Sequence, residues 1–405
     1  MDGIIWTNPN MHVKYLNKHA VLDIIRFTPG GVSRIELSKR LGLTRAAVTS
    51  IINDLQNEGI VRDAVAYQNG GRRRSMLEIV PEQGYIVGVD MGASHITAIV
   101  SDYSSRVIRD KEVRIDISKG PDFCLEQVNR LVQQIIAECG IQLREISSIG
   151  VGVPGPVVNE RGVVSSPPIM PGWDNYPIRS SLEKKWGCNV SLNNDAELGA
   201  LGEWAYGVGR GEENLAYIKV GTGIGAGLML KSNIYHGVTG TAGEIGHVTI
   251  NENGPVCTCG NRGCLEAFAG GKAIINRAYE ELRKGRRSEL IGLGDIYQIS
   301  INDIVSAARK GDLLSQQLLS EAGTYLGTAI ASLVNLFNPS IVVIGGGLAQ
   351  SGDLLLNPIR TTVMNRSLSV AAKAVRISAS LLGRRASALG AVVQALSHSL
   401  HKLSE

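Results

Sequence analysis

Between Asn17 and Phe27 the apolar residues Ala20, Val21, Ile24 and Ile25 recur at helical spacing, and Thr28-Pro29-Gly30-Gly31 ends the run. Ser33 then opens Ser33-Arg34-Ile35-Glu36, which reads as a capping box, with hydroxyl and carboxylate each satisfying an orphan backbone donor. The helix it starts stops at Leu41-Gly42. Thr44 caps a third helix with Val48, Ile51, Ile52 and Leu55 on one face, ending at Gly59. Beyond it, Ile60-Val61-Arg62 and Leu77-Glu78-Ile79-Val80 lie either side of Asn69-Gly70-Gly71-Arg72, a hairpin signal. Three helices and a two-stranded ribbon predict a winged helix-turn-helix over residues 1–82.

After Pro81 the pattern changes to strands alternating with helices, the signature of an α/β body. Tyr85-Ile86-Val87-Gly88-Val89-Asp90 runs through a tight turn into Ile96-Thr97-Ala98-Ile99-Val100. A similar hairpin recurs where Leu215 to Val220 passes through Gly221-Thr222-Gly223-Ile224-Gly225. The repetition predicts duplicated lobes facing a cleft, with glycine turns whose backbone N–H groups can approach phosphate oxygens.

Composition sets the outer bounds. A chain of 405 residues with 44% hydrophobic content can bury more than one core. No apolar run approaches the ~20 residues needed to span a bilayer. Met1-Asp2-Gly3-Ile4-Ile5-Trp6 is not a secretory signal, so a cytoplasmic protein with no membrane association is expected. The net charge of +4 is unevenly placed, since residues 1–82 hold eleven Lys/Arg against eight Asp/Glu. A basic N-terminal module points to an anionic partner. The third helix leads with small side chains, slim enough for a groove about 12 Å wide. Arg45, Thr49 and Ser50 on that helix, with Arg72 and Arg73 at the wing, form the expected contact surface for operator DNA.

The densest chemistry lies in Gly243-Glu244-Ile245-Gly246-His247 and in the segment from Cys257 to Glu266. His247, Cys257, Cys259 and Cys264 make a complete tetrahedral set for zinc, and a closed set leaves no position for an activated water. The metal is therefore expected to be structural, one per subunit, with Gly260 and Gly263 supplying the turns between ligands. Cys124, Cys139 and Cys188 are scattered and read as free thiols.

With these residues assembled, the chain resembles the ROK family of bacterial sugar kinases and sugar-responsive repressors. The matching pieces are Gly152-Val153-Pro154-Gly155-Pro156, Pro171-Gly172-Trp173, Asn193-Asn194-Asp195-Ala196, Gly221 to Gly225, Glu244 to His247, the cysteine knuckle and Val342 to Gly347. They follow the family's order over nearly the whole length, and the overall look is most similar to the xylose-repressor group. The resemblance implies a two-lobed, actin-like or hexokinase-type domain. One lobe would cover residues 83–197, with a C-terminal helix at 388–405 packing back onto it, and the second, with the zinc knuckle, 198–387. It also implies that Asn194, Asp195, Glu244, His247 and Glu266 bind the hydroxyls of an effector sugar, His247 through the ring nitrogen that does not hold zinc. By residue type alone, Asp195 also fits a helix cap and Glu266 an exposed helix position. A homodimer or dimer of dimers is expected.

A kinase of this family would use Asp195 as general base, with phosphate held by turns at Asp90, Gly92 and Ser94 and at Gly221, Thr222 and Gly223. The kinases' Asp-x-Gly-Gly-Thr-Lys stands here as Asp90-Met91-Gly92-Ala93-Ser94-His95. Ala93 adds a methyl where backbone must approach phosphate, and His95 replaces a fixed cation. The expected protein is thus not an enzyme but a repressor released from DNA by a sugar, most readily xylose. An ATP-dependent sugar kinase with a fused DNA-binding domain is the alternative. Discrimination between epimers is expected around Pro171-Gly172-Trp173.

Overall fold

Helices α1 (Val13–Phe27), α2 (Arg34–Leu41) and α3 (Arg45–Asn57) precede a ribbon of β1 (Val61–Tyr67) and β2 (Arg73–Ile79) in the computed structural model, which describes residues 13–28, 30–67, 73–167 and 169–403. Val21, Leu22, Leu37, Val48, Ile52 and Leu55 are fully buried, as their spacing predicts. Only half of the capping box forms. Ser33 Oγ accepts from Glu36 N at 3.2 Å, but the Glu36 carboxylate pairs with Arg40 one turn on, a charge-assisted bond stronger than one to an amide. Val32 bridges to Leu77, tying the helices to the ribbon. The expected wing tip, Asn69 to Arg72, lies outside the described residues.

The next strands are β3 (Tyr85–Met91), β4 (His95–Asp102), β5 (Val107–Arg114), β6 (Ile146–Val153), the short pair β7 (Val157–Val158) and β8 (Val163–Val164), and β9 (Asn189–Asn194). A five-stranded sheet runs β5-β4-β3-β6-β9, covered by α4 (Pro121–Glu138) and α5 (Ile178–Trp186). After α6 (Asp195–Tyr206) come β10 (Leu215–Val220), β11 (Ile224–Leu230), β12 (Asn233–Ile234), β13 (Ile341–Gly345) and β14 (Arg376–Ala379). They form a second five-stranded sheet, β12-β11-β10-β13-β14, packed against α7 (Leu265–Ala269), α8 (Gly271–Arg283), α9 (Ile301–Arg309), α10 (Leu313–Phe337), α11 (Asp353–Arg366) and α12 (Ser369–Ala374). Each sheet is an antiparallel hairpin, β3/β4 or β10/β11, extended on its first strand by a parallel neighbour.

Between the sheets lie α6 and α13 (Ala386–Leu403), pressed together, α6 against β10 and β11 and α13 against β3 and β6. Glycines permit this approach: a Cβ on Gly88 or Gly150 would collide with the Ala388 or Ala391 carbonyl, and one on Gly390 with that of Leu198. α13 also packs against the winged helix. Leu389, Val392, Leu396 and Leu400 share one apolar cluster with Val21, Leu22 and Ile25 of α1, and Arg26 donates to the Val393 carbonyl at 3.3 Å. The core of the winged helix is therefore continuous with that of the first lobe. No helix among the described residues is long and apolar enough to cross a membrane.

Candidate functional site

The β3/β4 and β10/β11 turns face one another across a cavity of about 670 Å³, floored by the start of α6 and walled by Glu244, His247 and Glu266. Asn194 is the N-cap of α6: its Oδ1 accepts from Ala196 N at 2.8 Å and Glu197 N at 3.3 Å, and its Nδ2 donates to the Gly155 carbonyl at 2.9 Å. The cap is thus Asn194 rather than Asp195, and its side chain is spent on backbone. Asp195, one residue on, points its carboxylate at Lys219, whose Nζ lies 2.9 Å from Oδ2 and 3.3 Å from Asp90 Oδ2.

Lys219 was not anticipated. Its signal was a single cation in the otherwise apolar strand Leu215-Ala216-Tyr217-Ile218-Lys219-Val220. Burial opposes its charge, but Asp195 and Asp90 outweigh burial and hold the ammonium above its ordinary range. Burial pushes the Asp195 carboxyl up against the pull of Lys219. For Asp90, Lys219 and His95 together overcome burial and hold it low.

Glu244 differs from these. Burial raises its carboxyl, with His247 opposing, yet it has no hydrogen-bond partner among the described residues. It is an acceptor waiting for a donor. Glu266 is engaged rather than exposed: Oε2 accepts from Ile224 N at 2.8 Å and Oε1 from Thr258 Oγ1 at 3.4 Å, bracing the β10/β11 turn. Gly223 makes room for it, since a Cβ there would strike the carboxylate.

His247 Nδ1 lies 3.6 Å from Cys257 Sγ, and Cys259 Sγ lies 3.7 Å from Cys264 Sγ. All four ligand atoms fall within 4.8 Å of one another. Tetrahedral zinc with Zn–S of about 2.3 Å would set ligand edges of about 3.8 Å, so the cluster is compatible with a structural zinc. Gly260 and Gly263 take positive φ, 91° and 71°, and a Cβ on Gly263 would meet the Asn251 carbonyl. Cys124, Cys139 and Cys188 are free thiols.

In the two glycine turns Gly92 N donates to the His95 carbonyl and Gly221 N to the Gly223 carbonyl, each at 2.9 Å, so these amides close their own turns. Ser94 and Thr222 line the cavity alongside them. Trp173 is fully buried in the first lobe, its Nε1 donating to the Ile117 carbonyl at 3.3 Å. Its bulk belongs to the core, and the wall near it is formed by Ser166 and Ile169 instead.

On the winged helix, Arg45, Thr49 and Ser50 are exposed along α3, with Thr49 Oγ1 donating to the Arg45 carbonyl at 2.8 Å. Arg72 lies outside the described residues, and Arg73 begins β2. Behind α3, Asp63 of β1 receives Arg34 through both oxygens, at 2.8 and 3.2 Å, and Gln56 at 2.8 Å, which holds helices and ribbon in register.

Two profiles match the chain: the ROK family over residues 86–398, and a winged helix-turn-helix DNA-binding module over residues 17–62. The xylose repressor of Caldicellulosiruptor bescii is 32% identical over 389 residues, spanning 96% of this chain and 97% of that protein. A crystal structure of a ROK family transcriptional regulator, a homologue of the E. coli MLC protein, superimposes with a TM-score of 0.80 at 28% identity, covering 97% of this chain and 98% of the other. A ROK family glucokinase from Streptomyces griseus, in complex with glucose and AMPPNP, gives 0.70 at 29% identity but covers 77% of this chain and 99% of its own.

Proposed function

The chain belongs to the ROK family, and from that membership we propose that it is a sugar-responsive transcriptional repressor, holding operator DNA with its winged helix and releasing it when a sugar fills the cleft. The observation that carries this reading is α13. Ser387 at its start donates to the Asp195 carbonyl at 2.7 Å on the cleft floor, while its far end shares a core with α1. A rearrangement at Asp195 is therefore felt by the helix on which the DNA reader rests.

Within the reading, Glu244 and Asp195 accept sugar hydroxyls, His247 offers its second ring nitrogen, and Asn194 and Glu266 hold the elements that present them. A zinc ion at His247, Cys257, Cys259 and Cys264 fixes that imidazole. Arg45, Thr49, Ser50, Arg72 and Arg73 contact DNA in a cytoplasmic homodimer or dimer of dimers, whose symmetry would pair inverted half-sites. Xylose is the first effector to test, given a xylose repressor that matches this chain over nearly its full length among the relatives. A pentopyranose also lacks the exocyclic CH2OH that a hexose kinase phosphorylates.

Selection of bound duplexes from a random library, followed by anisotropy titrations with and without xylose, glucose and N-acetylglucosamine, tests the proposal. One sugar should weaken DNA binding by about 5 to 150-fold. Affinity unchanged by every sugar, together with sugar phosphorylation at about 1 to 100 per second, would instead establish the kinase alternative.

A further inference from the structure

Two carboxylates from different parts of the fold, Asp90 at the end of β3 and Asp195 at the start of α6, converge on one ammonium. Lys219 Nζ lies 2.9 Å from Asp195 Oδ2, 3.3 and 3.4 Å from the Asp90 oxygens, and 3.3 Å from Ser387 Oγ. The side chains are 2% exposed for Asp90, 13% for Asp195 and 15% for Lys219, so water screens these charges only weakly and the carboxylates need a cation beside them. Paired buried carboxylates beside glycine turns are oxygen ligands of the kind that hold a hard divalent cation bridging to phosphate. Here a tethered lysine already stands between them.

We propose that Lys219 is the resident cation of the cleft, occupying the position between Asp90 and Asp195 that a divalent metal would otherwise take. A metal could enter only by displacing the ammonium from both carboxylates at once, breaking the close pairs at 2.9 and 3.3 Å that this tethered cation already makes. One positive charge against two negative ones also leaves this cluster with a net negative charge, which opposes a polyphosphate. His95, with Nε2 3.6 Å from Asp90 Oδ2, adds a fixed charge only when protonated. Lys219 thereby makes ligand binding independent of metal and nucleotide, and keeps Asp195 in an ion pair rather than poised to take a proton from a hydroxyl. This goes beyond the repressor reading and does not depend on it, because it concerns which cation the floor accepts, whatever ligand lies above.

Mn²⁺ is the probe, followed by electron paramagnetic resonance of the free ion on the full-length chain with its zinc knuckle loaded, since thiolates favour zinc over Mn²⁺. Wild type should show no saturable Mn²⁺ binding that depends on Asp90. Lys219→Ala should bind Mn²⁺ at least about tenfold more tightly and gain thermal stability from it, and adding Asp90→Asn should abolish both effects. Lys219→Gln, which keeps a hydrogen-bond donor, serves should the alanine variant fail to fold. Folded variants that bind Mn²⁺ no better than wild type would overturn the proposal, as would Asp90-dependent Mn²⁺ binding by wild type.

Discussion

Glu244 and Asp195 are acidic groups of one cleft, but Asp195 is held by a lysine, whereas the Glu244 carboxylate has no hydrogen-bond partner among the described residues. Glu244→Gln is therefore expected to weaken sugar binding by about 10 to 150-fold, the worth of a hydrogen bond to a charged acceptor, while leaving operator affinity without sugar unchanged. Calorimetry for the sugar and anisotropy for the DNA separate the two effects, and equal loss of both would contradict the assignment. At the knuckle, the chain should carry about one zinc per subunit, and Cys259→Ser should lose zinc and sugar response together, because the same ion would anchor His247. Native protein free of zinc by elemental analysis would rule this out. The knuckle was readable because its ligands are close in sequence, with glycines marking the turns. Lys219 was not, because its partner Asp90 is 129 positions away and a solitary lysine in a strand carries no local sign of what it will meet. Asn194 and Asp195 were recognised as a pair, but which one caps the helix depends on where α6 begins, and one residue decides it.

For the recognition helix and ribbon, the chemistry separates base reading from phosphate holding. Arg45→Ala should flatten sequence preference, whereas Arg72→Ala with Arg73→Ala should weaken binding to all duplexes and reduce the slope of log affinity against log salt by about 1 to 2. A double variant with an unchanged slope would remove the wing from the interface. The bracing of this module is itself sensitive to pH. Hydrogen bonds from Arg34, then from Ser75 and Gln56, hold the Asp63 carboxyl well below the usual carboxylate range. A depressed folded value contributes stability that is present above the unfolded value of about 3.9 and lost as pH falls through the folded one. The acid limb of a melting-temperature profile should therefore flatten below about pH 4 in Asp63→Asn relative to wild type, and superimposable profiles would show that the bracing contributes nothing. Caps and turns of these helices were legible because they are local chemistry. The second half of the box at Ser33 failed because Arg40, a helical turn from Glu36, competes for the same carboxylate.

Over the whole molecule, the repeated glycine-turn hairpin foretold two sheets, and the change of period after Pro81 foretold the separation of DNA reader from body. The joint core between them could not be read. α13 is apolar on several faces, and sequence periodicity does not say which neighbour each face will find. Leu396, fully buried where α1 meets α13, tests that joint core. Leu396→Ala should cost about 2 to 5 kcal/mol and lower the unfolding of winged helix and first lobe together, with sugar-driven release of DNA weakened. Hydrogen exchange that finds the winged helix unperturbed would show the two cores to be separate.

The shared core also bears on how the protein is born. α1 leaves the ribosome long before the surface it is to rest on, since Arg26 waits for a carbonyl 367 positions downstream. At about 5 to 20 residues per second that is a delay of roughly 20 to 70 s, during which Val21, Leu22 and Ile25 have no α13 to cover them. The DNA reader, although translated early, is completed only when α13 arrives. A message cut short before Ala386 should then yield a chain unable to hold an operator, rather than a permanent repressor deaf to sugar.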